Sequence, residues 1–211
     1  MWVVKLGGSL AATGSLGVWL ATLAARGGGR AVIVPGGGPF ADLVREAQES
    51  LGFSDAVAHR MAILAMEQYG LMLAGMQPEL VPVESAEALQ AVLRNARVAI
   101  WLPGTMTKGA LDIPASWNFT SDSLAAWLAN ALSAERLMLV KACQVSGTLD
   151  AESLRDQGIV DPAFPDFIAD RGFETYVLGA NDHACLKTML GDPLGGAPQE
   201  RRVKPPRRAR Q

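Results

Sequence analysis

The sequence predicts an α/β fold, a three-layer α/β/α sandwich around a mostly parallel sheet, and three observations point to it. Short apolar runs alternate with helical apolar stripes along most of the chain, which is the pattern of βαβ units. The first two runs, Trp2–Leu6 and Ala31–Val34, each lead into glycines: Gly7-Gly8 after one and, past Pro35, Gly36-Gly37-Gly38 after the other. A later stretch, Thr120-Ser121-Asp122-Ser123, reads as a helix start, because Leu124, Trp127, Leu128 and Ala131 follow at helical spacing.

Taken in order, the first strand is Trp2–Leu6. A helix over Ser15–Arg26 presents Leu16, Leu20 and Leu23 on one face and stops at Gly27-Gly28-Gly29. After the second strand, Phe40, Leu43, Val44, Ala47 and Leu51 form a stripe at i, i+3, i+4, i+7 and i+11. The helix Ser54–Leu73 is apolar almost all round, so it is expected to be buried on two sides, by the sheet and by either another layer or a second subunit. A homo-oligomer, dimer or higher, through that helix is the expectation. Strands follow at Glu79–Val83 and Arg97–Leu102 with a helix over Ala86–Asn95 between them. A loop over Pro103–Ser116 carries Lys108 and Asp112. Further strands are Leu137–Lys141 and Thr175–Leu178, and a helix covers His183–Leu190.

The totals set limits. A chain of 211 residues suits one domain, expected over residues 1–190, with a flexible basic tail over 191–211 that includes Arg201, Arg202 and Lys204. A net charge of -2 gives no case for nucleic acid as a partner. Two cysteines, Cys143 and Cys185, are too few for a disulfide framework or a structural zinc site, and no metal-ligand cluster stands out. The longest apolar stretch contains Glu67 and Gln68 and is too short to span a bilayer, so no membrane role is expected. No charged leader with a cleavage site precedes the first strand, and a cytoplasmic protein is expected.

Two glycine loops at one edge of a parallel sheet make two backbone N–H cradles, and glycine lets an anion come close. Lys5 beside the first loop points to phosphate. The lysine precedes its glycines, so the loop is not a Walker A, and Gly7-Gly8-Ser9-Leu10 does not supply a dinucleotide fingerprint. Asp122, in the first turn of its helix, either complements the helix dipole and nothing more, or faces the glycine loops and holds a lysine or Mg²⁺ near a transferring phosphate.

Val4-Lys5-Leu6-Gly7-Gly8-Ser9, Ile33-Val34-Pro35-Gly36-Gly37-Gly38-Pro39 and Thr120-Ser121-Asp122-Ser123 followed by Leu137–Lys141 together resemble the amino acid kinase superfamily, over residues 1 to about 190. The resemblance implies a sheet of about eight strands, with ATP and a phosphoryl acceptor at neighbouring sites on one edge. Two segments, Ala58–Gly70 and Pro114–Ser123, look like the branch of 5-(aminomethyl)-3-furanmethanol phosphate kinases of methanofuran biosynthesis. That likeness implies transfer of the ATP γ-phosphoryl to an acceptor phosphate, with Mg²⁺ arriving on ATP. By the same likeness Lys5 bridges the phosphates and Asp122 orients it. Gly7, Gly8 and Ser9 hold the ATP phosphates, with Cys143, Gln144 and Gly147 in the nucleotide pocket. Gly36, Gly37, Gly38, Arg45, Trp117, Asn118 and Thr120 meet the acceptor.

The chain departs from the pattern at three places. Asn118 stands where many relatives have aspartate, and Gln144 replaces a carboxylate in the nucleotide pocket. The Gly-Met…Lys motif that gives longer relatives a second catalytic lysine is missing. Lys141, at a strand end, is expected to substitute, with Lys108 in a loop as the other candidate. Arg45 either clamps the acceptor phosphate or is a solvated side chain. Trp117 either stacks on a furan ring or belongs to the core, and Asp42 or Asp112 is expected to meet the acceptor's ammonium. His59 reads as a packed, hydrogen-bonded histidine. A non-catalytic nucleotide or oxoanion binder on the same fold is the competing class, as is a kinase for acetylglutamate, UMP or isopentenyl phosphate.

Overall fold

The structure, a computed structural model, describes residues 1–147, 149–191 and 198–206. In chain order the elements are β1 (Trp2–Leu6), α1 (Leu16–Arg26), β2 (Ala31–Pro35), α2 (Gly38–Leu51), α3 (Asp55–Met76), β3 (Leu80–Val83), α4 (Ala86–Arg94), β4 (Val98–Trp101), α5 (Gly104–Thr107), α6 (Ser121–Ala131), β5 (Arg136–Lys141), α7 (Ala151–Asp156), α8 (Phe164–Ile168), β6 (Glu174–Gly179) and α9 (His183–Gly191). The short α5 lies inside what the sequence reads as a continuous loop.

All strand pairings are parallel, in the order β3-β4-β2-β1-β5-β6. The chain begins at the centre, builds outward through β2 to β4 and β3, and then returns to the other side of β1 for β5 and β6. Strand order therefore reverses at β1, and the crevice beyond the carboxyl ends of the strands there is where open α/β sheets place ligands.

Two cores flank the sheet, as the two-residue period of its strands dictates. Val3, Val32, Val34, Leu137, Leu139 and Val177 pack with α4, α6, α7 and α8 on one face. Trp2, Val4, Leu6, Ile33, Met138, Val140 and Leu178 pack with α1 and α9 on the other. α3 serves both: Ile63 and Met66 join the first core, Tyr69 and Leu73 the second. Its remaining face leaves Val57, Leu64 and Leu71 at 48%, 42% and 53% exposure. Intramolecular burial thus accounts for two sides of this nearly all-apolar helix and not for the third.

The sheet has six strands among the described residues, not the eight or so that the family resemblance implied. These six are the six segments whose own apolar pattern reads as strand. Beyond β6 the described residues form isolated bridges, Tyr176 with Arg202 and Asp150 with Lys204, and Pro205 and Pro206 work against continuing the second.

Those bridges also correct the expected flexible tail for residues 198–206. Val203 is buried and its N–H donates to the Thr175 carbonyl, while Arg202 pairs with Glu174 at 3.0 Å. Arg201 donates to the Val145 carbonyl and pairs with Asp182 at 3.1 Å. The arginines that made the segment look solvated thus find partners along the β6 edge and the loop after β5. The rest of the expected tail, residues 192–197 and 207–211, lies outside the described residues.

Candidate active site

Strand parity builds the centre of the site. In β1 the even residues Trp2, Val4 and Leu6 face α1, so Val3 and Lys5 face α6. In β5 the same alternation puts Leu137, Leu139 and Lys141 on the α6 side. Lys5 is in register with Leu139, so Lys141 lies one same-face step further on the neighbouring strand. Both ammonium groups meet the first turn of α6. Lys5 Nζ lies 2.8 Å from Asp122 Oδ1, and Lys141 Nζ donates to Asp122 Oδ2 at 2.6 Å. The three side chains are 6%, 12% and 5% exposed for Lys5, Lys141 and Asp122 respectively.

Burial alone would raise the Asp122 carboxyl; the ammoniums of Lys141 and Lys5 overcome it and hold the group down at about 2. Burial lowers Lys141 below the ordinary lysine value, and the positive charge of Lys5 adds to this, against the pull of Asp122. The arrangement is one carboxylate between two positive charges. Asp122 is thus more than a helix-dipole partner. Lys108 is exposed on its loop and has no place in this cluster.

The two glycine loops touch one another. A Cβ on Gly8 would lie 2.3 Å from the Gly38 nitrogen, and one on Gly36 would lie 2.4 Å from the Gly8 nitrogen. Gly38 has φ +54, and its open side is filled by the ring of Tyr69, whose hydroxyl donates to the Gly8 carbonyl at 3.3 Å. Bare backbone is required on both sides of this junction, which explains why the sequence has glycine at each of these positions.

A cavity of about 740 Å³ opens from this junction. Lys5, Gly8, Ser9, Gly37 and Gly38 form one end. Trp117, Phe119 and Thr120 from the segment before α6, and Ile63 and Met66 from α3, form an apolar wall. Asp42, Arg45 and His59 complete the lining at its polar rim. Arg45 stacks over the Trp117 ring at 4.5 Å and pairs with Asp42 at 3.0 Å, and Trp117 Nε1 donates to Gln48 Oε1 at 2.6 Å. Trp117 is therefore held edge-on by a hydrogen bond and covered on one face by a guanidinium.

Of the other residues singled out in the sequence, Gly7 donates its N–H to the Val140 carbonyl at 3.0 Å, and Gly7 and Gly36 lie behind the cavity rather than on its wall. Asn118 is exposed and off the cavity; its carbonyl accepts from Ala163 N–H. Cys143, Gln144 and Gly147 sit exposed on the loop after β5, on the opposite side of Lys141. That loop packs against the end of β6, where a Cβ on Gly179 would meet the Cys143 carbonyl oxygen at 3.0 Å. Asp112 accepts from Trp127 Nε1 at 2.8 Å and does not line the cavity, which leaves Asp42 as the carboxylate there.

Two residues escaped the sequence reading. His59 lines the cavity instead of lying packed in the helix, and burial lowers its pKa. The signal was present: His59, Ala62, Ile63 and Met66 fall at i, i+3, i+4 and i+7, and all four line the cavity. Asp161 caps α6 from a distant segment, accepting from Thr120 N–H at 2.9 Å and Ser123 N–H at 3.0 Å. Thr120 occupies the N-cap position but makes no capping bond with its own side chain. No local pattern announces a cap supplied from forty residues further along the chain.

A lysine at the end of a central parallel strand, ion-paired to a helix-start carboxylate and set beside two touching glycine loops, is the equipment of a phosphotransferase, in which positioning and electrostatics carry the catalysis. A model of the amino acid kinase family matches residues 1–157, and the chain belongs to that family. It is 27% identical over 194 residues to [5-(aminomethyl)furan-3-yl]methyl phosphate kinase of Methanocaldococcus jannaschii, covering 84% of this chain and 87% of that one. Its fold is similar to that of the Archaeoglobus fulgidus uridylate kinase, with a TM-score of 0.67 and 18% identity, over 97% of this chain and 100% of that one. The isopentenyl phosphate kinase of T. acidophilum has a TM-score of 0.57 at 12% identity, over 97% of this chain and 100% of that one.

Proposed function

We propose that this kinase transfers the γ-phosphoryl group of ATP to the phosphate of a small aminomethyl-furan phosphomonoester, giving a diphosphate and ADP in the assembly of a methanofuran-type cofactor. The observation that carries the reading is the cavity itself. It joins the glycine junction beside Lys5 to a wall of Trp117, Phe119, Ile63 and Met66, with Asp42 as the carboxylate of its lining. A phosphomonoester with a flat ring and an ammonium needs these three surfaces. The named activity of the M. jannaschii relative supports the same acceptor.

In this scheme an acceptor phosphate oxygen attacks the γ-phosphorus, and the bond from that phosphorus to the bridging oxygen of ADP breaks. Gly37 and Gly38 cradle the acceptor phosphate, and Lys5 and Lys141 offset the charge that gathers between the two phosphates. Asp122 aims both lysines and favours the charged form of Lys141. Gly8 and Ser9 serve the ATP phosphates, Gly7 holding their loop against β5, and the loop of Cys143, Gln144 and Gly147 borders the nucleotide.

Among the described residues no group of three or more His, Cys, Asp or Glu side chains gathers to hold a metal ion. Asp122 is already engaged by two lysines. Mg²⁺ would arrive on ATP as the counter-ion of its phosphates.

The unpartnered face of α3, with Val57, Leu64 and Leu71, is where a second copy is expected to pack. Among the described residues no helix is long and apolar enough to cross a membrane.

ADP release with the furan phosphate, set beside acetylglutamate, UMP and isopentenyl phosphate, tests the acceptor. Preference for any of the last three overturns the furan assignment and leaves the kinase. Nucleotide binding without transfer to any acceptor favours the binder, the reading to which the exposed Gln144 in place of a carboxylate lends itself.

A further inference from the structure

The carboxylate that organises the lysines is itself held by a second carboxylate. Asp161 precedes α8 and is buried. Its Oδ2 accepts three bonds, from Thr120 N–H at 2.9 Å, Thr120 Oγ1 at 2.8 Å and Ser123 N–H at 3.0 Å. Its Oδ1 accepts from Ser123 Oγ. Two of the four partners are backbone N–H groups and two are hydroxyls, and a carboxylate can accept from all four. These bonds bracket Asp122 in the chain: they grip the residues two before and one after it.

The same segment is tied down independently. Phe164 N–H donates to the Asp161 carbonyl at 3.1 Å, and Ala163 N–H to the Asn118 carbonyl at 2.9 Å. The start of α8 and the start of α6 are thereby joined at both backbone and side chain. Four charged groups share this interior: Lys5 from β1, Lys141 from β5, Asp122 from α6 and Asp161 before α8. They balance as two positive and two negative charges, and Asp161 raises Lys141 toward its charged form.

We propose that Asp161 is a positioning residue for phosphoryl transfer: by anchoring the first turn of α6 from outside the helix, it fixes the Asp122 carboxylate between Lys5 and Lys141. This rests on the kinase reading above. It predicts effects that a helix cap of purely structural use would not have. Losing the charge of Asp161 weakens the field that keeps Lys141 protonated, so the lysine should titrate at lower pH. Losing the anchor lets Asp122 drift from its two partners, which harms transfer more than binding.

The experiment compares the wild type with Asp161→Asn and Ser123→Ala. Three quantities are followed: kcat and both KM values with Mg·ATP and the furan phosphate, the pH profile of kcat, and the Lys141 titration by NMR of lysine labelled with ¹³C at Cε. Asp161→Asn should lower kcat by about ten- to a hundredfold, with both KM values within about threefold, and should move the alkaline limb and the Lys141 midpoint to lower pH. Ser123→Ala removes one donor and no charge; it should lower kcat several-fold and leave the Lys141 midpoint in place. A lower melting temperature for Asp161→Asn with kcat and the Lys141 midpoint unchanged overturns the proposal. If Asp161→Asn does not fold, unchanged kcat in Ser123→Ala overturns it. A wild type that transfers no phosphoryl group refutes the kinase reading instead, and the NMR midpoint still decides whether Asp161 governs the lysine cluster.

Discussion

The two sides of Lys5 are built to different standards. On the side of α2 and α3, the site is backbone against backbone: Gly8, Gly36 and Gly38 meet with no room for a Cβ, and the Tyr69 ring closes the junction from behind. On the side of β6, Cys143, Gln144 and Gly147 are exposed, and the loop is fastened by Arg201, which reaches the Val145 carbonyl from the C-terminal segment. A rigid template suits recognition of one acceptor, where shape selects. A clipped loop suits a nucleotide that must enter and leave in every cycle. On the proposed function, selectivity belongs to the first side and turnover to the second.

The most severe break in the comparison is at the point the sides share. Lys5→Met should lower ADP release at saturating substrates by at least about a hundredfold, because a preorganised charge is lost from the transferring group. Turnover near that of the wild type would remove Lys5 from the mechanism.

Next in size is the response to pH. Lys141 titrates below the ordinary lysine value of 10.5, so kcat should fall about tenfold per pH unit on an alkaline limb that lies below it. Because the unfolded chain holds that proton to higher pH than the folded one, fold stability gains in the same window as pH rises. Asp122 runs the other way. Its carboxyl lies at about 2 against 3.8, so the stability from its ion pairs is complete above the ordinary value and is lost as pH falls from there toward 2. A stability curve flat between those pH values, set against an Asp122→Asn control, would show that the pairing contributes nothing.

Trp117→Ala then tests the acceptor side alone. It should raise the acceptor KM about tenfold, the loss of a stacked aromatic and its guanidinium, while leaving the ATP KM within about twofold. Gln144→Ala should do the reverse and more weakly, raising the ATP KM by about threefold or less. An effect of either variant on the other substrate would exchange the two sides.

The smallest contrast is structural. Gly8→Ala forces a Cβ to within 2.3 Å of the Gly38 nitrogen and should cost roughly 1–3 kcal/mol by thermal melts. Gly147→Ala meets open space, but φ +86 makes it strained; it should cost about 1 kcal/mol. Equal costs at the two positions would show that the junction yields as easily as the loop.

Much of this was legible in the sequence, and the reasons are local. β1 and β5 declare themselves by the apolar runs Trp2–Val4 and Leu137–Val140, since strands covered on both faces spare few polar positions. Their parity then puts Lys5 and Lys141 on one face, so the lysine pair follows from counting residues once the two strands are paired. Parity does not say which helix covers that face; the family likeness put Asp122 beside Lys5, and its bond to Lys141 follows from the packing of α6 on β1. His59 was misread because a histidine within an apolar helix is equally consistent with core and with cavity. Asp161 and Arg201 were illegible for another reason. Each acts through a contact between segments far apart in the chain, and an isolated Asp-Pro or a basic run near the end carries no mark of its partner. The expected eight strands failed because that number came from likeness to a family and not from any segment here.

The contact between the glycine loops also constrains how this protein can evolve. Each loop excludes a side chain on the other, so neither can accept a first substitution while waiting for a second. Drift toward a new acceptor is thereby barred from the cradle and confined to the cavity wall, at Trp117, Phe119, Ile63, Met66 and His59. Members of a lineage descended from this chain should differ in what they phosphorylate through those side chains, while the phosphate they hold stays in the same place.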